Sequence, residues 1–122
     1  MARILICDDA PFMRMVIREA LEGAGHIVVA ETDDLDDLVL LYKEQKPDLV
    51  TMDILMKESG VEGVRRIMKL DPKAKVIVIS VLAEQEAEVI DAVRLGAQGI
   101  VTKPIKRELL VAEVLRVLNV KG

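Results

Sequence analysis

Five short runs of β-branched and apolar residues, Arg3 to Cys7, Ile27 to Ala30, Leu49 to Met52, Val76 to Ile79 and Gly99 to Val101, alternate with longer stretches whose apolar residues fall at helical spacing. That alternation dictates βα repetition. Most of the runs are near-continuous Ile, Val and Leu, the pattern of parallel strands covered on both faces. Between the first two, Pro11 to Gly23 carries Met13, Val16, Ile17, Ala20 and Leu21 on one helical face, and Leu35 to Gln45, Val61 to Leu70, Ala83 to Leu95 and Lys106 to Leu118 follow the same logic. Leu70-Asp71-Pro72 and Leu95-Gly96 supply helix stops, because proline cannot continue a helix and glycine accepts a left-handed cap. Five βα units are too few for an eight-fold barrel. The expected fold class is therefore α/β, an open doubly wound sheet with right-handed crossovers that place helices on both faces.

The 122 residues suffice for one domain with a real core, and no linker, low-complexity tract or exact repeat divides them, so a single domain over 1–122 is expected. A net charge of −4 gives no basic face, so neither nucleic acid nor a membrane surface is an expected partner. One Phe, one Tyr and no Trp leave little with which to stack a base or a flavin. No apolar stretch approaches the roughly 20 residues of a membrane span and no signal-peptide layout opens the chain, which leads us to expect a cytoplasmic protein. Cys7 is the single cysteine and sits inside an apolar run, where it reads as a small buried hydrophobe.

In open α/β sheets ligands bind beyond the carboxyl ends of the strands. The residues following the runs are Asp8-Asp9 after the first, Asp53 after the third, Ser80 after the fourth and Thr102-Lys103-Pro104 after the fifth. Folding would gather three carboxylates, a hydroxyl and a lysine at one edge. Three close acids raise one another's pKa unless a cation is shared among them. Their oxygen-only chemistry suits a hard ion, Mg²⁺ in particular. Lys103 adds a point positive charge for an anion beside the metal, and a carboxylate can itself act as nucleophile to form an acyl phosphate. Taken singly, Asp8 or Asp9 could cap the helix at Pro11, Asp53 could start a turn, Ser80 could cap the fourth helix and Lys103 could be an ordinary surface lysine. Their joint placement on successive strand ends favours a functional site.

The segments ILICDD, LVTMD, VIVIS and VTKP, in that order with helices between them, resemble the receiver domains of two-component response regulators over essentially the whole chain. DDAPFMRMV is most similar to chemotaxis-type receivers. The resemblance implies a flavodoxin-like five-stranded parallel sheet, (βα)5, in the order 2-1-3-4-5. It implies Asp53 as phosphoacceptor, Asp8 and Asp9 as the metal-binding acid pair, and Leu55 as the residue whose backbone carbonyl also reaches Mg²⁺. Ser80 resembles the hydroxyl that moves toward the phosphoryl group, Lys103 the lysine that pairs with it, and Lys103-Pro104 a cis peptide bond. The implied partners are a sensor histidine kinase and a downstream protein target, such as a flagellar motor component, a motor adaptor or a chemotaxis kinase complex. The implied protein is a monomeric signalling switch without an output domain, a phosphoacceptor that assists its own reactions and is no enzyme in the ordinary sense.

Some residues depart from the receiver pattern. After Asp53 the usual Met-Pro is missing, and Met56-Lys57-Glu58-Ser59-Gly60 makes a loop one residue short. Ile100 holds the place of an aromatic switch residue, which shifts the expected output to movements near Ser80. Leu55 and Leu82 put apolar side chains two residues beyond Asp53 and Ser80, beside the path of attacking water, and slow self-dephosphorylation is expected. The acidic run Thr32 to Asp37 lacks the glycine and glutamate of an EF-hand loop and reads as a charged helix start. His26 reads as structural and the pair Met13 and Met15 as helix packing and surface. Two rivals are a small Mg²⁺-dependent phosphotransfer enzyme on the same fold, for which this chain offers no second acid two residues after Asp53, where Leu55 stands, and a receiver-like interaction module that is not phosphorylated.

Overall fold

The computed structural model describes residues 1–120, so the last two residues of the expected domain lie outside the described residues. The chain runs β1 (Arg3–Cys7), α1 (Pro11–Gly23), β2 (Ile27–Thr32), α2 (Leu35–Gln45), β3 (Leu49–Asp53), α3 (Gly60–Leu70), β4 (Val76–Ser80), α4 (Leu82–Leu95), β5 (Gly99–Thr102) and α5 (Arg107–Leu118). The strands form one five-stranded sheet in the order β2-β1-β3-β4-β5, with every pairing parallel. This is the expected flavodoxin-like order.

The period-2 geometry of strands assigns the core to two layers. Ile4, Ile6, Leu49, Ile77, Ile79 and Val101 face one side, where they pack with Ile17 and Leu21 of α1 and Leu110, Val114 and Val117 of α5. Leu5, Cys7, Val50, Met52, Val76 and Val78 face the other, against Leu35 and Leu38 of α2, Val64 and Ile67 of α3 and Val89 and Ala92 of α4. Strands β3 and β4 are buried at every position, which explains their unbroken apolar sequence.

Four strands extend farther than their apolar composition indicates. β2 continues to Thr32 because Cys7 pairs with it, and β3 includes Asp53, which pairs with Ile79. β4 ends on Ser80, paired with Thr102 of β5. Asp53, Ser80 and Thr102 are thus last rungs of the sheet rather than first residues of loops. A polar side chain on a terminal rung still leaves its backbone free to complete the ladder. β1 and β2 slip register between Ile4 and Leu5.

Helix starts differ in how they are capped. Asp34 caps α2 by accepting from Asp37 N–H at 2.9 Å, so the acidic run does serve as a helix start. Ser59 caps α3. At α4 the cap position is Val81, not Ser80, and Gln85 departs from helical geometry inside the helix. His26 is buried and its Nδ1 accepts the Ala2 N–H at 3.1 Å, tying β1 to the turn before β2. Burial, aided by the nearby N-terminal charge, lowers the pKa of His26. Met13 packs at the margin of the α1 and α5 core, whereas Met15 is more exposed.

Candidate functional site

The carboxyl ends of β1, β3, β4 and β5 lie side by side, and each delivers one part of a polar cluster. Asp8 follows β1, where its N–H donates to the Thr32 carbonyl at 3.0 Å and holds it as a continuation of the sheet edge. Its side chain is completely buried. Asp8 Oδ1 accepts the Ala10 N–H at 2.9 Å, an Asx turn leading into α1, while Oδ2 has no partner. Neither Asp8 nor Asp9 caps α1, whose cap position is Ala10.

Asp53 is 2% exposed. Its Oδ1 accepts two donors, Lys103 Nζ at 3.1 Å and Leu55 N–H at 3.2 Å. Asp8, Asp9 and Asp53 each place a carboxylate oxygen within 4.8 Å of the others. Ser80 at the end of β4 is fully buried and its hydroxyl has no partner. The Lys103 N–H donates to the Ser80 carbonyl at 2.8 Å, continuing the β4–β5 ladder past Thr102, and Lys103-Pro104 is a cis peptide bond as expected. The fold thus brings together Asp8, Asp9, Asp53 and Lys103 by direct geometry, and sets Ser80 on the adjoining strand end.

Burial dominates the electrostatics of the acids. It pushes Asp8 up to about 6, against the Ala10 N–H that favours the charged form, and Asp53 adds to the rise. Burial raises Asp53 as well, although Lys103 and the Leu55 N–H oppose it. Three carboxylates facing one ammonium leave an excess of negative charge. Of four buried side-chain polar atoms without partners among the described residues, Asp8 Oδ2 and Ser80 Oγ both lie at this edge. An oxygen-only donor set, an excess of negative charge and an orphaned buried carboxylate oxygen fit a hard divalent cation with open positions for anionic oxygens. Cys7 beside the cluster stays a thiol, because burial and then the charge of Asp8 push its pKa up to about 12.

The loop between Asp53 and α3 is tied to the cluster by contacts that sequence reading missed. Lys57 N–H donates to Asp9 Oδ2 at 3.0 Å, and Glu58 Oε1 accepts the Leu35 N–H at the start of α2 at 3.1 Å. Leu55 and Ser59 form an isolated antiparallel bridge. The short loop is therefore held without the missing proline. No local signal announces these bonds, since they join residues 48 and 23 positions apart. The loop closes against the strand because Gly60 has no side chain: a Cβ there would lie 2.1 Å from the Asp53 carbonyl oxygen.

The sequence matches the response regulator receiver domain family over residues 4–115. The chain belongs to that family. This receiver is 43% identical over 116 residues to the chemotaxis protein CheY of Thermotoga maritima, which covers 94% of this chain and 96% of that protein. It is 42% identical over 118 residues to the chemotaxis protein CheY of Bacillus subtilis, across 96% of this chain and 98% of the relative. Among solved structures, the CheX-CheY-BeF3-Mg²⁺ complex from Borrelia burgdorferi contains a chain that superposes with a TM-score of 0.88 at 31% identity, covering 98% of this receiver and 90% of that chain. The receiver is accordingly a CheY-like domain of two-component signalling, a class of signalling proteins rather than classical enzymes, with a histidine kinase on one side and a downstream target on the other. Receiver domains hold Mg²⁺ in an acidic pocket, and Asp8, Asp9 and Asp53 form a carboxylate cluster that could hold a metal ion. No helix among the described residues is long and apolar enough to cross a membrane.

Proposed function

We propose that Asp53 accepts a phosphoryl group from a phosphohistidine of a sensor kinase and that the modified domain signals by protein contact, in chemotaxis. The observation that carries this reading is Asp53 Oδ1 held 3.1 Å from Lys103 Nζ, with carboxylate oxygens of Asp8 and Asp9 within 4.8 Å of it or its partner oxygen. In the transfer, an Asp53 carboxylate oxygen attacks phosphorus, a P–O bond forms, and the P–N bond breaks with its electron pair left on the kinase imidazole. Asp8, Asp9, Asp53 and the Leu55 carbonyl would hold Mg²⁺, which when bound offsets charge on the transferred group. Lys103 pairs with a phosphoryl oxygen, and the Ser80 hydroxyl, which has no protein partner, donates to another.

Leu55 and Leu82, two residues beyond Asp53 and Ser80, are 69% and 42% exposed, which supports apolar side chains beside the path of attacking water and slow hydrolysis of the acyl phosphate. The output face combines Ile90 and Val93 of α4, Ile100 of β5 and Leu109 of α5, all partly exposed. This receiver spans 96% and 98% of the length of the two CheY relatives, which supports residues 1–122 acting as one receiver domain. The domain works in the cytoplasm as a monomer, on a motor component, an adaptor or a chemotaxis kinase complex.

Intact-mass measurement after incubation with Mg²⁺ and a small phosphodonor tests the assignment. One acid-labile phosphoryl group should appear, and Asp53→Asn should abolish it. Undiminished labelling of Asp53→Asn, or none of the native chain, would refute it.

A further inference from the structure

The first turn of α4 is closed by a side chain from within the helix. Val81 holds the cap position and offers no side-chain oxygen to the free amides of the first turn. Its own N–H donates to Gln85 Oε1 at 2.8 Å. Gln85 is the fourth residue of the helix, one place beyond the position from which Glu or Gln ordinarily reaches back to a cap amide. The bond is made with Gln85 out of helical geometry, at φ −129° and ψ 26°, which separates the turn Leu82–Glu84 from the remainder of α4. The Gln85 side chain is buried. Glu84 holds the regular position for the same reach and stands exposed. One amide therefore has two competing acceptors on consecutive residues, and only one matches an unbroken helix.

That amide shares its peptide plane with the carbonyl of Ser80, so displacement of Ser80 carries it along. The Ser80 hydroxyl is buried without a partner, and its carbonyl holds Lys103 N–H at 2.8 Å. On the neighbouring strand, Ile100 provides no polar or aromatic group to report a change at Ser80. We propose that Gln85 is the latch that couples the state of Asp53 to α4. As Ser80 closes on an anionic group at Asp53, the Val81–Gln85 bond breaks, Glu84 takes over the Val81 amide, and Leu82–Leu95 becomes one regular helix. This is a two-state element whose balance the site biases, and it rests on Asp53 being the phosphoacceptor.

Isotope-labelled full-length protein titrated with Mg²⁺ and beryllofluoride provides the test by NMR. On saturation the ¹³Cα resonance of Gln85 should move downfield to a helical value and the Val81 amide resonance should shift. Gln85→Ala should show the helical ¹³Cα value at residue 85 before any addition, with the β3 and β4 amide resonances unmoved, and should bind beryllofluoride about 2- to 10-fold more tightly, the effect of one net hydrogen bond. Gln85→Asn, too short to reach Val81, should behave alike and replaces the first variant if that one does not fold. Glu84→Ala should weaken binding by a similar factor. A Gln85 resonance unmoved in saturated protein, or affinities unchanged in the variants, would overturn the latch alone. Absence of beryllofluoride binding to the native chain would overturn both the latch and the assignment of Asp53.

Discussion

The most consequential single side chain is Asp8, a fully buried carboxylate with one oxygen unpartnered. Folding moves its pKa up to about 6 from the ordinary carboxylate value near 4, so the folded protein binds more protons than the unfolded chain between those limits. Without metal, the contribution of Asp8 to stability is most favourable below about pH 4, declines as pH rises toward 6, and is lost above that. Asp8→Asn should therefore make the metal-free protein more stable at pH 7 by about 1–3 kcal/mol, with the gain vanishing below pH 4. Denaturant unfolding of both proteins across pH 3–8 would register this, and an equal difference at every pH would contradict it. At the mouth of the site, Leu55→Asn and Leu82→Glu replace apolar groups by ones that orient water. Each should shorten the lifetime of the phosphorylated protein about tenfold or more, approaching the roughly 100-fold lower end of general acid–base assistance, as read by loss of phosphate with time.

At the level of elements, the loop from Asp53 to α3 is a bridge between three parts of the fold. Lys57 binds it to Asp9, Glu58 binds it to the start of α2, and Gly60 lets α3 sit against the end of β3. Removing the Glu58 carboxylate leaves the Leu35 N–H of α2 without its acceptor, so Glu58→Ala should cost about 0.5–2 kcal/mol. Gly60→Ala drives a methyl group into backbone atoms that cannot yield as a flexible side chain would, and should cost about 1–3 kcal/mol or more. Thermal unfolding would rank the two, Gly60→Ala being the more damaging. It should also disturb metal affinity, since the clash falls on the Asp53 backbone.

Across the whole molecule, cation binding and folding are linked because the adjacent pair Asp8 and Asp9 is far from Asp53 in sequence and meets it only when the sheet forms. An ion that binds only the folded state stabilises it by about 2.7 kcal/mol at one hundred times its dissociation constant. Mg²⁺ should raise the melting temperature of the native protein, chelator should reverse it, and Asp9→Asn should abolish most of the rise. An identical melting temperature with and without saturating Mg²⁺ would remove the case for a metal pocket.

Much of this architecture was written locally. The apolar runs at strand length, the helical spacing of Ile17 and Leu21 in α1, and the acids, hydroxyl and lysine at the strand ends are properties of neighbouring residues, so the (βα)5 repeat and the polar residues that gather at one sheet edge were legible in order along the chain. The strand order came from resemblance to receivers, and hydrogen-bonded pairing bears it out. What the chain alone left open depends on partners distant in sequence. Pairing of Asp53 with Ile79 and Ser80 with Thr102 lengthened the strands, Lys57 and Glu58 found acceptor and donor across the fold, and the carboxylates came within 4.8 Å of one another. Even the local Val81–Gln85 bond was hidden, because two acceptors on adjacent residues compete for one amide and only packing, which buries Gln85 and exposes Glu84, decides between them. Periodicity thus determined the elements and their chemical load, while tertiary structure decided distance and burial, the two quantities that set a carboxylate's charge and a hydrogen bond's partner.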